Sequence, residues 1–200
     1  MVPPDPSARI GSLFVISGPS GVGKGTVVRR VRELRPDLVF SVSFTTRAPR
    51  PNEIDGVHYR FVSEQEFDRM VEAGELLEWA SIFGHRSGTS RQEVDAALAA
   101  GRDVLKEMDV QGAAQIRERM PGAVLIFLAP PSEEELARRL RERGTEAGPA
   151  LERRLAEARR ELAQATWFDH IVMNDELEAA VSRVLAIIDA ARSPHQKEQT

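Results

Sequence analysis

Two hundred residues suit one domain with room for an inserted subdomain, and 42% hydrophobic and 29% charged residues give an ordinary globular composition. A net charge of −4 argues against nonspecific nucleic-acid binding as the main task, and no apolar run approaches the roughly 20 residues of a membrane helix. The absence of cysteine removes disulfide scaffolding and thiolate chemistry and fits a cytoplasmic home.

The Pro-rich start, MVPPDPSARIGS, reads as a loose leader over 1–11, without the apolar centre of a signal peptide. Leu13 to Ser17 is a short apolar run ending at glycine, the mark of a buried strand. From Thr26 to Leu34 the pattern turns helical, with Val27, Val28 and Val31 on one side. Val39 to Phe44 predicts a second strand, and TTRAPRPNEIDG, dense in Pro, Gly and charge, a loop. Tyr59 to Val62 predicts a small strand. Ser63, with Glu66 three residues on, has capping-box spacing and opens a helix that stops at Gly74.

An extended piece over Leu76 to Phe83 follows, then a helix over Ser90 to Ala100 and a strand over Asp103 to Met108. Ala123 to Leu128 is the clearest strand of the chain. Ser132 with Glu135 makes a second capping box, for a helix through Arg143, and Pro149 suits the first turn of another through about Ala165. Ile171 to Met173 predicts a last strand, Leu177 to Ala191 a last amphipathic helix, and SPHQKEQT a loose tail over 193–200. Strands alternating with helices predict an α/β fold, a parallel sheet with helices on both faces. The short extended pieces from about Thr45 to Gly88 predict a small inserted lobe.

Between the first strand and the first helix stands GPSGVGKGT, which follows G-x-x-x-x-G-K-[ST] through Lys24 and then has Gly25 for the hydroxyl residue. Small residues let backbone N–H groups turn around phosphate oxygens at the helix's positive end, and Lys24 reaches outer phosphates as a point charge. Glycines alone also suit a plain strand-to-helix turn. A lysine between Gly23 and Gly25 at the helix start points to nucleotide binding. In SFTTRAPR, Arg47 and Arg50 stand apart on a proline-stiffened loop, followed by Glu53, Asp55-Gly56 and Tyr59. Two guanidinium forks and a phenol suit a phosphate dianion, and a solvated basic loop suits the same residues equally well.

Taken together, SGPSGVGKGT, SVSFTTRAPRPNEIDGVHYRFVS, GELLEWASIFGHRSGT, EMDVQGA, PPSEEELARRLRERGTE and IVMND resemble the motifs of bacterial guanylate kinases, in that family's order from Leu13 to about Asp175. The resemblance implies a P-loop NTPase-type sheet within 12–192: a core over 12–40, 89–137 and 166–192, a GMP-binding lobe over 41–88 and a helical lid over 138–165. It implies transfer of a phosphoryl group from ATP to GMP, with Mg²⁺ as cofactor, no nucleic-acid or membrane partner, and either a monomer or a homodimer. ATP contacts then fall on Gly18, Pro19, Ser20, Gly21, Val22, Gly23, Lys24, Gly25, Thr26 and Asn174. GMP contacts fall on Arg47, Arg50 and Tyr59 for the phosphate, and on Ser43, Glu78, Thr89 and Glu107 for the base. Lys24, Arg47, Arg139, Arg143 and Arg154 carry the transfer, and Asp109 stands near the metal through water.

The chemistry agrees with that assignment. Guanine offers N1–H and an amine as donors and O6 as acceptor, so Glu78 would accept while Ser43 or Thr89 donates. Against adenine, Glu78 would be left unpaired, at a cost of about 1–3 kcal/mol. On sequence alone a surface carboxylate is the commoner fate for Glu78. Phosphoryl transfer is chiefly positioning and charge neutralisation, which is why no nucleophilic side chain is needed. Arg139 and Arg143 lie one helical turn apart, although Arg138, Arg141 and Arg153 read as plain helix-surface ion-pair partners.

The sequence departs from the family's pattern in places. Gly25 lacks the hydroxyl that many P-loops place on the metal. Arg86-Ser87 replaces a Tyr-Tyr pair, leaving Ser87 too short for a phosphate contact and Arg86 as a candidate substitute. Lys106 stands where the strand should be apolar, and the residues assign it no function; its tip has to find water or an acid. Two other functions remain open: a non-catalytic module that binds a phosphorylated peptide, and a related kinase for another small phosphorylated acceptor. Lys24 and the lid arginines weigh against the first, Ser43, Glu78 and Thr89 against the second.

Overall fold

The computed structural model describes residues 9–82, 84–142 and 148–192. Its elements run β1 (Leu13–Ser17), α1 (Lys24–Leu34), β2 (Val39–Phe40), β3 (Ser43–Thr45), β4 (Tyr59–Phe61), α2 (Glu64–Glu72), β5 (Leu76–Ile82), β6 (His85–Ser90) and α3 (Arg91–Ala99). They continue with β7 (Val104–Glu107), α4 (Val110–Arg119), β8 (Val124–Ala129), α5 (Glu133–Glu142), α6 (Pro149–Leu162), β9 (His170–Met173) and α7 (Leu177–Arg192).

One sheet has the order β2-β7-β1-β8-β9, and its registered pairs are parallel. Between β7 and β1 the bonds run from Val104 N–H to the Ser12 carbonyl (2.9 Å) and from Met108 N–H to that of Ile16 (3.2 Å). The second sheet, β4-β3-β6-β5, is antiparallel except for β3 with β4. The α/β expectation therefore holds, with a parallel sheet and intervening helices. Among the described residues no helix is long and apolar enough to cross a membrane.

The chain divides into two units, one of residues up to Leu13, Asp37–Lys106 and Gln111–Ala123, the other of Phe14–Pro36, Glu107–Val110 and Val124 onward. In the first, Phe67, Met70 and Leu76 form a buried cluster against Phe44, Val62, Val71 and Trp79. In the second, β1 and β8 supply Phe14, Val15, Ile16 and Leu125–Leu128, all fully buried, as strands covered on both faces require. Each such side chain contributes about 1.5–3 kcal/mol by leaving water. α7 packs on α1, where Arg30 meets Glu178 at 2.9 Å and Arg35 meets Asp189 at 2.5 Å.

Both serine caps form, Ser63 Oγ accepting from Glu66 N–H and Ser132 Oγ from Glu135 N–H, each at 3.1 Å, while the glutamate carboxylates of the two expected boxes bond arginines. Three elements differ from the sequence reading. The strand expected over Val39 to Phe44 breaks in two, with β2 in the parallel sheet and β3 in the other. Its bonds to the first sheet end where Ser41 N–H meets the Leu105 carbonyl. β6, HRSGTS, has no apolar alternation to announce it. α4, VQGAAQIRER, hides its apolar stripe in small residues, burying Val110, Gly112, Ala113 and Ile116.

Candidate functional site

The phosphate-loop candidates lie together in the second unit. Gly18 follows β1 at φ +140°, where a Cβ would stand 2.3 Å from the Leu128 carbonyl oxygen, so no larger residue fits. Gly23 (φ 97°) caps α1, and no side chain bonds there. An uncapped helix start of this kind attracts anions. Lys24, the first helical residue, folds across the loop and donates from Nζ to the carbonyls of Gly18 (2.5 Å) and Pro19 (3.1 Å). Gly25 and Thr26 are exposed. A Cβ on Gly25 would meet Glu107 Oε2 at 3.6 Å, ordinary contact, so Glu107 stands beside the loop's variant position.

Two predicted residues brace the loop from behind. Asn174 Nδ2 donates to the Val22 carbonyl at 2.7 Å, and Arg139 Nη1 donates to the same oxygen at 3.3 Å. Arg139 also reaches the Asn174 carbonyl (3.1 Å) and Glu135 Oε1 (2.8 Å). Sequence reasoning missed Glu161 on α6, whose Oε2 accepts the Ser20 N–H at 3.1 Å. Burial pushes the Glu161 carboxyl up; the Ser20 N–H and the charge of Lys24 oppose this, while Glu157 and Asp109 add to it.

Arg154 is half-buried on α6, and Arg143 lies outside the described residues. Arg138 bonds Glu135 and Glu142, the surface role expected of it, and with Arg139 it holds Glu135 down to about 2. Asp109 directly precedes α4, where a carboxylate also suits the helix's positive end. Among the described residues no group of three or more His, Cys, Asp or Glu could hold a metal ion.

The acceptor candidates, Glu107 apart, lie in the first unit. Cross-strand register sets Ser43 opposite Thr89, and Thr89 opposite Glu78, so the three form a row across β3, β6 and β5. Glu78 is 5% exposed, which decides against a surface carboxylate, and Thr89 Oγ1 donates to its Oε1 at 2.5 Å. The Thr89 hydroxyl was expected to donate to a base; here its proton is committed to Glu78. Gln115 on α4 fixes the strand around Glu78, donating to the Trp79 carbonyl (2.6 Å) and accepting its N–H (3.3 Å). Arg119 adds a bond to the Leu77 carbonyl at 2.7 Å. Neither residue carried a sequence signal, since α4 itself was missed.

Arg47 forms a bidentate pair with Glu53, both bonds 2.9 Å, and lies over the Tyr59 ring at 5.2 Å. The guanidinium holds Glu53 below the usual carboxylate range, and Glu53 raises Arg47 in turn. The Arg50 backbone N–H donates to Glu53 Oε2 at 2.7 Å while its side chain is exposed. Arg86, the candidate phosphate substitute, is instead bound to Glu64 and Asp68 on α2 and stacks on Phe67 at 4.8 Å. Ser87 Oγ donates to the Phe44 carbonyl at 3.1 Å.

Lys106 is 1% exposed, and its Nζ donates to Ser43 Oγ at 2.6 Å and to the Ser41 carbonyl at 3.0 Å. A hydroxyl and a backbone oxygen are among the partners of the tip that was expected to need water or an acid.

Known proteins resemble this chain in sequence and in fold. The family model described as guanylate kinase matches residues 11–191. A guanylate kinase from Nocardia farcinica is 55% identical over 187 residues, covering 92% of this chain and 97% of its own. One from Thermobifida fusca is 54% identical over 178 residues, covering 89% and 91%. The crystal structure of guanylate kinase from Anaplasma phagocytophilum superposes with a TM-score of 0.78 at 34% identity, covering 92% of this chain and 88% of that one. Likeness of this extent in both sequence and fold reaches past a shared P-loop: the chain belongs to the guanylate kinase family, and its reaction is the ATP-dependent phosphorylation of GMP.

Proposed function

We propose a division of that reaction between the two units. Residues 18–26 hold the ATP phosphates, with Lys24 as the mobile cation, and Asn174 keeps the loop in shape from the adenine side. Arg139, Arg143 and Arg154, on the lid at 138–165, neutralise the transferring phosphoryl group, together with Lys24 and Arg47. In the lobe at 41–88, Arg47, Arg50 and Tyr59 take the GMP phosphate. Ser43, Glu78 and Thr89 read the base, with Glu107 joining them on the strength of the family likeness.

The observation that carries this reading is the buried Thr89–Glu78 pair in register with Ser43. A desolvated carboxylate flanked by hydroxyls suits a base edge that offers two donors and an acceptor. It serves no evident purpose for a sugar phosphate. Glu53 supports the phosphate side, because it aligns the Arg47 fork over Tyr59.

Mg²⁺ fits what the chain offers: it keeps most of its water and takes phosphate oxygens, so one nearby carboxylate is enough. Asp109 is that residue, acting through water. The absence of a three-acid cluster among the described residues and of a hydroxyl at Gly25 agrees with such a thin protein contribution. When bound, the ion supplies charge neutralisation between the phosphates. The protein's part is to position and to exclude water, and its place of work is the cytoplasm.

A coupled ADP-release assay with GMP, AMP, CMP and UMP as acceptors tests the reading. Turnover with GMP at least about a hundredfold above AMP is expected, the scale set by leaving buried polar groups unpaired. Equal use of AMP would overturn the base assignment, and no turnover with any acceptor would favour a binding module.

A further inference from the structure

We propose that Lys106 is a positioning residue for purine recognition, whose buried ammonium fixes the Ser43 hydroxyl as a donor toward a 6-oxo group. The inference rests on the guanine-reading row proposed above and deepens it.

A serine hydroxyl has one proton to give and two lone pairs to offer, whereas an ammonium only donates. At 2.6 Å, Lys106 Nζ fills one of the Ser43 lone pairs, so the Ser43 proton has to point elsewhere. Thr89 is set the opposite way: it gives its proton to Glu78 and keeps lone pairs for a ligand. Across β3, β6 and β5 the row therefore presents donor, acceptor, acceptor. A guanine edge presents the complement: O6 as acceptor, then N1–H and the 2-amino group as donors. Adenine sets a 6-amino donor against the Ser43 donor and an N1 acceptor against the Thr89 lone pairs. Without Lys106 the Ser43 hydroxyl could rotate and accept from that amine. The cation beneath it draws electron density from Oγ and repels the amine hydrogens, which makes that oxygen a poorer acceptor and its O–H a better donor.

The placement also accounts for a costly residue. A lysine 1% exposed in a central strand is unfavourable unless its charge is compensated. Leucine would pack at that position with no such requirement, so a polar task at the Lys106 tip gives the ammonium a reason to be there. Another bond, to the Ser41 carbonyl at 3.0 Å, anchors Nζ on the segment between β2 and β3 and so fixes its angle to Ser43.

The test is Lys106→Met, which keeps length and removes the donor, with Ser43→Ala and the double variant. Equilibrium binding and steady-state turnover are measured with GMP, inosine monophosphate and AMP on the full chain. The expected result is about tenfold weaker binding of both 6-oxo nucleotides, a GMP-to-AMP preference reduced by about the same factor, and an unchanged KM for ATP. Inosine monophosphate lacks the 2-amino group, so an equal loss for it and for GMP locates the effect at position 6. Lys106→Met should add nothing to Ser43→Ala. A preference ratio unchanged in Lys106→Met, even with a lower Tm, would reduce Lys106 to packing and overturn the proposal. Should Lys106→Met fail to fold, Ser43→Ala alone decides, because a retained 6-oxo preference there overturns it as well. Failure of the native chain to prefer GMP would instead overturn the base reading itself.

Discussion

Around the phosphate loop, charged and polar side chains rest largely on backbone: Lys24 on the carbonyls of Gly18 and Pro19, Arg139 and Asn174 on that of Val22, with Glu135 also holding Arg139. In the lobe around Ser43, side chains are held mainly by other side chains: Thr89 by Glu78, Ser43 by Lys106, Arg47 by Glu53. A cation resting on those carbonyls has dipole contacts to exchange for the charge of a phosphate. A hydroxyl beside a charge has its proton drawn toward an anion or turned away from a cation, and this suits reading a donor–acceptor pattern. Damage to the first region should weaken phosphate handling for any acceptor; damage to the second should change which base is accepted.

The largest effect should follow Lys24→Ala, which removes the loop's cation. A fall in kcat/KM of about 10³-fold is expected, about 4 kcal/mol at the transition state, by the same factor for every acceptor that turns over. Steady-state assays with GMP and a poor acceptor check this; a change in their ratio would mean that the two regions are not separable in this way.

Gly18→Ala tests the backbone itself. The new Cβ would meet Leu128 at 2.3 Å from a φ that side-chain-bearing residues rarely adopt. A loss of about 3 kcal/mol is expected from denaturant unfolding, with nucleotide binding lost in parallel.

Thr89→Val tests the other region. It leaves Glu78 buried without its hydroxyl donor, at about 2 kcal/mol, while Thr89→Ser should stay near the parent. Thermal unfolding of the three proteins measures the difference, and equal values for Val and Ser would remove the pair from the structural account.

Glu161→Gln sharpens the comparison, because Glu161 is the acid that the phosphate loop does hold. An amide oxygen can still accept from Ser20 N–H, and the negative charge is gone. The KM for ATP should fall about threefold. The sign of the pH effect follows from burial raising this carboxyl: its contribution to stability is fully present below the ordinary 4.5 and is lost as pH rises through the raised value. The glutamine variant should therefore lose less stability than the parent as pH rises through that interval, which Tm against pH would show.

The smallest effect belongs to Arg86→Ala. Its bonds to Glu64 and Asp68 and its stacking on Phe67 lie at the α2 surface, so about 1 kcal/mol of stability should go. The KM for GMP should not move. A rise in that KM would restore Arg86 as a phosphate contact.

The amino-acid order by itself determined the phosphate loop, most helices and strands, and the family likeness. Each of these depends on neighbours in sequence: glycines at fixed offsets around Lys24, a serine three residues before a glutamate, valines at helical spacing. β6 and α4 escaped because HRSGTS and VQGAAQIRER are shaped by the partners they pack on, with little apolar period of their own. Only the tertiary structure decided how the polar groups pair. Ser43, Glu78, Thr89 and Lys106 are spread over more than 60 positions of chain, and the sheet register sets the Ser43–Lys106 and Thr89–Glu78 pairs side by side. The same holds for Glu161 at Ser20, separated by 141 positions. Local spacing can announce a residue type in the right motif, but the direction of a hydroxyl proton is set by whichever charge the fold places beside it.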